Sequence, residues 1–132
     1  MVAEHTVQTK LTLPLAYDDL ARFPADGNRY ELIEGSLHVS PSPVPRHQHC
    51  IAQLICLLAP NLRADQLLFP APADVIFSGG TVLEPDIVVA PRSSITVRAI
   101  EGPVDLVVEV LSPSTRRYDQ VMKRATYAAH GV

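Results

Sequence analysis

The chain has 132 residues, of which 47% are hydrophobic and 19% charged, with a formal net charge of −3 at pH 7. That length reads as a single domain, and the composition is that of a core-forming globular protein, which excludes a disordered chain. No apolar run approaches the ~20 residues of a membrane span and no basic-then-apolar leader opens the chain, so no membrane is expected and the cytoplasm is the expected compartment.

The acidic balance argues against a protein that coats nucleic acid with a broad basic face. It leaves room for an enzyme that gathers carboxylates around a metal and binds its substrate with a few local cations. Arg116, Arg117, Lys123 and Arg124 form the one dense basic group.

Residues 1–10 are polar and aperiodic, so a frayed start is expected, and Tyr17–Phe23 has room for one or two helical turns. Residues 1–27 read as an N-terminal extension ahead of a domain spanning 28–132. Tyr30–Ser40 predicts a hairpin: Tyr30-Glu31-Leu32-Ile33 runs out, Glu34-Gly35 turns, and Ser36-Leu37-His38-Val39 returns. Pro41, Pro43 and Pro45 lack ladder donors and stop the strand.

Arg46–Ala59 predicts a helix, with Ile51, Leu54, Ile55 and Leu58 at i, i+3, i+4 and i+7 as its inward stripe and Pro60 as its end. His47, four residues before Ile51, falls at the N-terminal end of that stripe. Cys50 and Cys56 lie six residues apart on this helix, about 600° of rotation, so they cannot bridge within it. Neither belongs to a CxxC pair, and reduced, buried thiols are expected.

Two strands follow, Pro72–Phe77 and Leu83–Ala90, with a turn at Gly79-Gly80, and then a polar loop from Pro91 to Gly102. The almost unbroken apolar run from Val104 to Leu111 predicts a central strand covered on both faces. Ser112-Pro113-Ser114-Thr115 breaks it and offers helix caps. Arg116–His130 predicts a second helix with Val121, Ala125 and Ala128 inward and Gly131 as its stop. The order is hairpin, helix, three strands, helix, without an internal repeat.

Glu109 lies within the Val104–Leu111 run, where a carboxylate is costly unless paired, hydrogen-bonded or metal-bound. The plainer alternative is an acidic residue near a strand end that meets an arginine or solvent. Asp86 opens the apolar stretch Ile87-Val88-Val89-Ala90. If the two strands are neighbours, both carboxylates can share one face. Such a pair repels itself at neutral pH and calls for a cation, and hard oxygen donors suit Mg²⁺.

Tyr30-Glu31-Leu32-Ile33-Glu34-Gly35, Pro41-Ser42-Pro43 with Arg46-His47-Gln48, and Glu84-Pro85-Asp86-Ile87-Val88-Val89 occur in order along the chain. Asp105-Leu106-Val107-Val108-Glu109-Val110-Leu111-Ser112-Pro113-Ser114-Thr115 follows, then Asp119, Lys123, Tyr127 and Gly131-Val132. This ordered set resembles the "putative restriction endonuclease" family of the PD-(D/E)XK nuclease superfamily, over about residues 28–132.

The resemblance implies an α/β (α+β, mixed-sheet) fold: a restriction-endonuclease-like core with flanking helices. The family pattern continues past Gly131-Val132 with a further strand, so a C-terminally shortened domain lacking its final strand is expected. A homodimer that covers or completes the resulting sheet edge is a possible consequence.

By the same resemblance, Asp86 and Glu109 are the metal-holding pair, with Mg²⁺ or Mn²⁺ as cofactor. The superfamily lysine position is Leu111 here, and the role passes to Lys123 on the last helix. The implied activity is that of a metal-dependent endonuclease acting on DNA. Glu31 and His47 are further catalytic candidates.

Each candidate has a plainer alternative. Lys123 could pair with Asp119 at i,i+4 on a solvated face, Glu31 could face solvent, and His47 could be a hydrogen-bonded core-edge residue. Arg116 and Arg117 could contact a phosphate backbone or be a solvated helix start. At the level of the whole chain, the alternatives are an inactive nuclease fold kept for interaction and a metal-dependent hydrolase of another substrate.

Overall fold

The chain reverses tightly at Glu34 and Gly35, whose φ angles of 49° and 79° match the two-residue turn that suits the right-handed twist of paired strands. β1 (Arg29–Ile33) and β2 (Ser36–Ser40) therefore pair antiparallel, with Ile33 opposite Ser36 and Arg29 opposite Ser40. The computed structural model describes residues 12–113 and 118–132. The expected frayed start at residues 1–10, the Ser114-Thr115 caps and the Arg116-Arg117 pair lie outside the described residues.

Pro45 opens α1 (Pro45–Leu58), where its missing amide costs nothing because first-turn donors are unpaired in any helix. Ile51 is buried, and Leu54, Ile55 and Leu58 are half-buried on the same side, as their spacing predicts. Cys50 and Cys56 are free but exposed, so the expectation of buried thiols fails: both fall outside the single stripe that α1 turns inward.

β3 (Gln66–Pro70), β4 (Val75–Ser78), β5 (Thr81–Leu83), β6 (Ile87–Pro91), β7 (Ile100–Glu101) and β8 (Leu106–Val108) complete the strands, and α2 spans Tyr118–Ala129. A five-stranded mixed sheet has the order β2-β1-β5-β4-β7, in which only the β4–β7 pair is parallel. A three-stranded antiparallel sheet has the order β3-β6-β8.

The two sheets share a core. Val75 and Ile100 of the first pack with Val88 and Ala90 of the second, joined by Val104. A second cluster of Leu15, Leu32 and Val82 lies beneath the short 3-10 helix Tyr17–Arg22. Burying each such Val, Leu or Ile contributes roughly 1.5–3 kcal/mol.

Three further sequence expectations are corrected. The segment 83–90 is not one strand: β5 ends at Leu83 and β6 begins at Ile87 in the other sheet. Pro85, without an amide donor, stands between them, and the chain crosses from sheet to sheet at Glu84-Pro85-Asp86.

The strand covered on both faces is β6, whose Ile87, Val88, Val89 and Ala90 are all buried, and not the Val104–Leu111 run. β8 forms the edge of its sheet, and Leu106 and Leu111 are exposed.

The third correction concerns α2. Val121, Ala125 and Ala128 face solvent, while Met122, Lys123, Thr126 and Tyr127 face inward. Counting apolar positions misreads the helix because it packs partly on carboxylates, which select a lysine and a tyrosine. Among the described residues no helix is long and apolar enough to cross a membrane.

Candidate active site

Asp86 sits at the crossing between the sheets and is 1% exposed. Its Oδ1 accepts a hydrogen bond from the Arg29 guanidinium at 2.9 Å, and its Oδ2 accepts the Val110 amide at 2.6 Å. His47 Nε2, from the first turn of α1, lies 3.2 Å from the same Oδ2 and 3.1 Å from the Val110 carbonyl oxygen. Burial alone would lower the Arg29 pKa, but the charge of Asp86, with Glu31 and Glu84 beyond it, carries the net shift upward.

Glu109 follows directly after β8, where the ladder ends and its backbone is free to bend toward α2. Its Oε1 accepts the Lys123 ammonium at 2.9 Å and the Tyr127 hydroxyl at 2.6 Å. Lys123 also meets Glu31 Oε1 at 2.8 Å, and that oxygen accepts the Glu84 amide at 2.7 Å. β1 aims Arg29 and Glu31, two residues apart on one face, at the two halves of this network.

Burial is the largest single influence on each of these groups, but at the cations the neighbouring carboxylates together outweigh it. It would lower the Lys123 pKa, yet Glu31 and Glu109 outweigh it and hold the ammonium charged. Burial raises Glu109 despite Lys123 and Tyr127, and it pushes Glu84 up to about 7 against the opposing pull of Arg29. Burial and then the Glu109 charge drive the Tyr127 hydroxyl far above its ordinary range, so it remains a donor.

Asp86, Glu109, Lys123 and His47 line one cleft of about 690 Å³, with Arg29 and Tyr127 beside them. Glu31 lies behind Lys123, fully buried. All five residues singled out from the sequence therefore meet in one network. The surface-pair alternative for Lys123 and the solvent-facing alternative for Glu31 both fail, because Lys123 is 8% and Glu31 1% exposed.

The sequence singles out neither Arg29 nor the Val110 backbone, and it brings in Glu84 and Tyr127 only as parts of a resemblance. The i,i+2 spacing of Arg29 and Glu31 was the available signal for the first.

Four carboxyl groups, Glu31, Glu84, Asp86 and Glu109, gather around two cations, Arg29 and Lys123. No three His, Cys, Asp or Glu side chains among the described residues converge as a cage. A hard ion such as Mg²⁺ takes one or two carboxylates and completes its shell with water and substrate oxygens, so Asp86 and Glu109 are of the donor type it would need. A structural zinc site, with four protein ligands, does not fit.

The sequence matches one family over residues 16–132, that described as "Putative restriction endonuclease". The chain belongs to this family. Its fold, a mixed α+β arrangement with a restriction-endonuclease-like core, is similar to a crystal structure titled a "putative nuclease belonging to DUF820" from Anabaena variabilis. The TM-score is 0.56 at 24% identity, over 86% of this chain and 67% of that one. No curated protein matches.

Proposed function

We propose that this family member is a Mg²⁺-dependent endonuclease hydrolysing phosphodiester bonds of DNA in the cleft formed by Asp86, Glu109 and Lys123. The observation that carries the reading is a buried lysine held charged between two carboxylates, beside a third carboxylate clamped by an arginine.

Asp86 and Glu109 hold the divalent ion in this reading, with the Val110 carbonyl oxygen on the same side. When bound, the ion supplies Lewis acidity toward a water and a phosphate oxygen. Lys123 remains protonated and so is not a general base. Its ammonium orients the attacking water and offsets negative charge developing on the phosphate. Glu31 fixes the direction of that ammonium, Tyr127 fixes Glu109, and Arg29 fixes Asp86. Arg124 lines the same cleft and meets the nucleic-acid backbone.

Conversion of supercoiled plasmid in the presence of Mg²⁺ tests this. Cleavage is expected from the wild type and is lost in Asp86→Ala and Glu109→Ala. Metal binding without cleavage of any DNA form counts against the catalytic reading.

The reading extends to assembly. The outer edge of β8 carries exposed Leu106, and Leu111 beyond it is exposed as well, an edge that favours strand pairing. A second copy of the chain covers that edge. Light scattering after size-exclusion chromatography is expected to give a dimer mass; a monomer across the accessible concentration range overturns it.

A further inference from the structure

Val44 is the N-cap of α1, a position where serine, threonine, asparagine or aspartate would bond the free first-turn amides. It makes no side-chain cap bond, and it stands 60% exposed. A residue that neither caps its helix nor joins the core breaks two local rules at once, and such departures gather at functional sites. Val44 lines the same cleft as Asp86, Glu109 and Lys123.

The wall around Val44 is stiff and uncharged. Pro41, Pro43 and Pro45 alternate along the β2–α1 connection, and each fixes its own φ. Gly27, at a φ of 85°, brings the bend before β1 so close that a Cβ there would stand 2.7 Å from Ser42 Oγ. No Asp, Glu, Lys or Arg occurs from Gly35 to Pro45, and Pro41, Pro43 and Val44 are all exposed. A flexible loop loses entropy when it holds a ligand; this connection has little left to lose.

The cleft therefore joins two chemistries. Arg29 and Lys123 come from β1 and α2 beside the carboxylates, and Arg124 adds an exposed cation. The β2–α1 connection adds proline rings and the Val44 methyls. Charge on one set of elements and apolar surface on another complement a nucleotide, which is anionic at the phosphate and flat and uncharged at the base. Asp86 is 1% and Lys123 8% exposed, so a phosphodiester reaches them only by entering the cleft, and its sugar and base enter with it. In an intact duplex the base stays paired inside the stack. In a single strand it is free to turn onto an apolar surface.

We propose that Pro41, Pro43 and Val44 form a seat for an unpaired nucleobase beside the scissile phosphate, so that the substrate is single-stranded DNA or an unpaired stretch within a duplex. The inference rests on the reading of this cleft as a DNA-hydrolysing site, and it names the form of DNA that the cleft takes.

Three substrates test it with Mg²⁺ and the full chain: a single-stranded oligonucleotide, the same sequence as a blunt duplex, and the single strand with one abasic nucleotide on either side of the mapped cut. The wild type is expected to cleave the single strand about tenfold or more faster than the duplex, judged by kcat/KM. Val44→Ser supplies the missing cap hydroxyl and should melt higher than the wild type. Its kcat/KM on the single strand should nevertheless fall about fivefold, mainly through KM, because the apolar contact with the base is lost. Removing the base should cost the wild type a similar factor and Val44→Ser almost nothing further. A purely structural role for Val44 would not move stability and cleavage in opposite directions.

A duplex cleaved as readily as the single strand, Val44→Ser cleaving the single strand at the wild-type rate, or an abasic penalty equal in both proteins overturns the inference and leaves the proposed function standing. No cleavage of any of these DNAs removes both. Should Val44→Ser fail to fold, the duplex and abasic comparisons on the wild type still decide.

Discussion

Lys123 and Glu31 meet at 2.8 Å, joining the last helix to the first strand through two buried charges. The contact places one ammonium against two carboxylates, since Glu109 shares it at 2.9 Å. The contact is a structural clamp, and stability measurements test that role separately from any role in cleavage.

Removing the ammonium leaves buried Glu31 and half-buried Glu109 without their cation. Lys123→Met is expected to destabilise the fold by about 3–5 kcal/mol, the usual cost of breaking a buried ion pair from one side. Adding Glu31→Gln to that variant should recover part of the loss, because the stranded charge is gone. Urea denaturation of both variants checks this, and strictly additive losses count against the clamp.

Tyr127→Phe deletes one hydroxyl that donates to Glu109 at 2.6 Å while keeping the ring against Phe77. A hydrogen bond to a charged group is worth about 1.5–3 kcal/mol, and stability should fall within that range. Plasmid cleavage should weaken but persist, since Lys123 still holds Glu109. An unchanged melting temperature would show that the hydroxyl bond carries no weight.

A divalent ion that binds only the folded state raises stability by mass action. At about 100 times its Kd, Mg²⁺ should add about 2.7 kcal/mol to the wild type. In Asp86→Asn the gain should vanish, since the neutral amide is a much weaker ligand. Thermal melting over a Mg²⁺ titration is the measurement, and an equal shift in both proteins would remove Asp86 from the metal site.

Asp74 predicts a pH effect away from the cleft. Burial raises its pKa above the ordinary carboxyl value, against the lowering effect of the Tyr17 hydroxyl bonded to it at 3.2 Å. A raised folded-state pKa means that the folded protein favours the protonated acid. This contribution to stability is present below the unfolded pKa and is lost as pH rises through the folded one. Asp74→Asn should therefore melt higher than the wild type at neutral pH, with the gap closing as pH falls below the carboxyl range. A gap independent of pH would be the contrary result in the melting curves.

What was readable from the sequence is what short range decides. The β1–β2 hairpin follows from two turn residues able to take positive φ, and α1 from a four-residue apolar period bounded by prolines. Asp86 and Glu109 were conspicuous because a carboxylate within an apolar run always needs a partner. β3 escaped notice because Leu67-Leu68-Phe69 between Gln66 and Pro70 is too short to show a period.

The partners themselves were decided only by the tertiary structure. Arg29 reaches Asp86 across 57 positions of chain, and the Val110 amide reaches it across 24. Nor does a helical period state what a helix packs against. Val121, Ala125 and Ala128 follow an apolar spacing, yet α2 turns Lys123 and Tyr127 inward because the carboxylates of Glu31 and Glu109 meet them there. Local patterns specify which residues are costly to leave alone; packing alone specifies which groups relieve that cost.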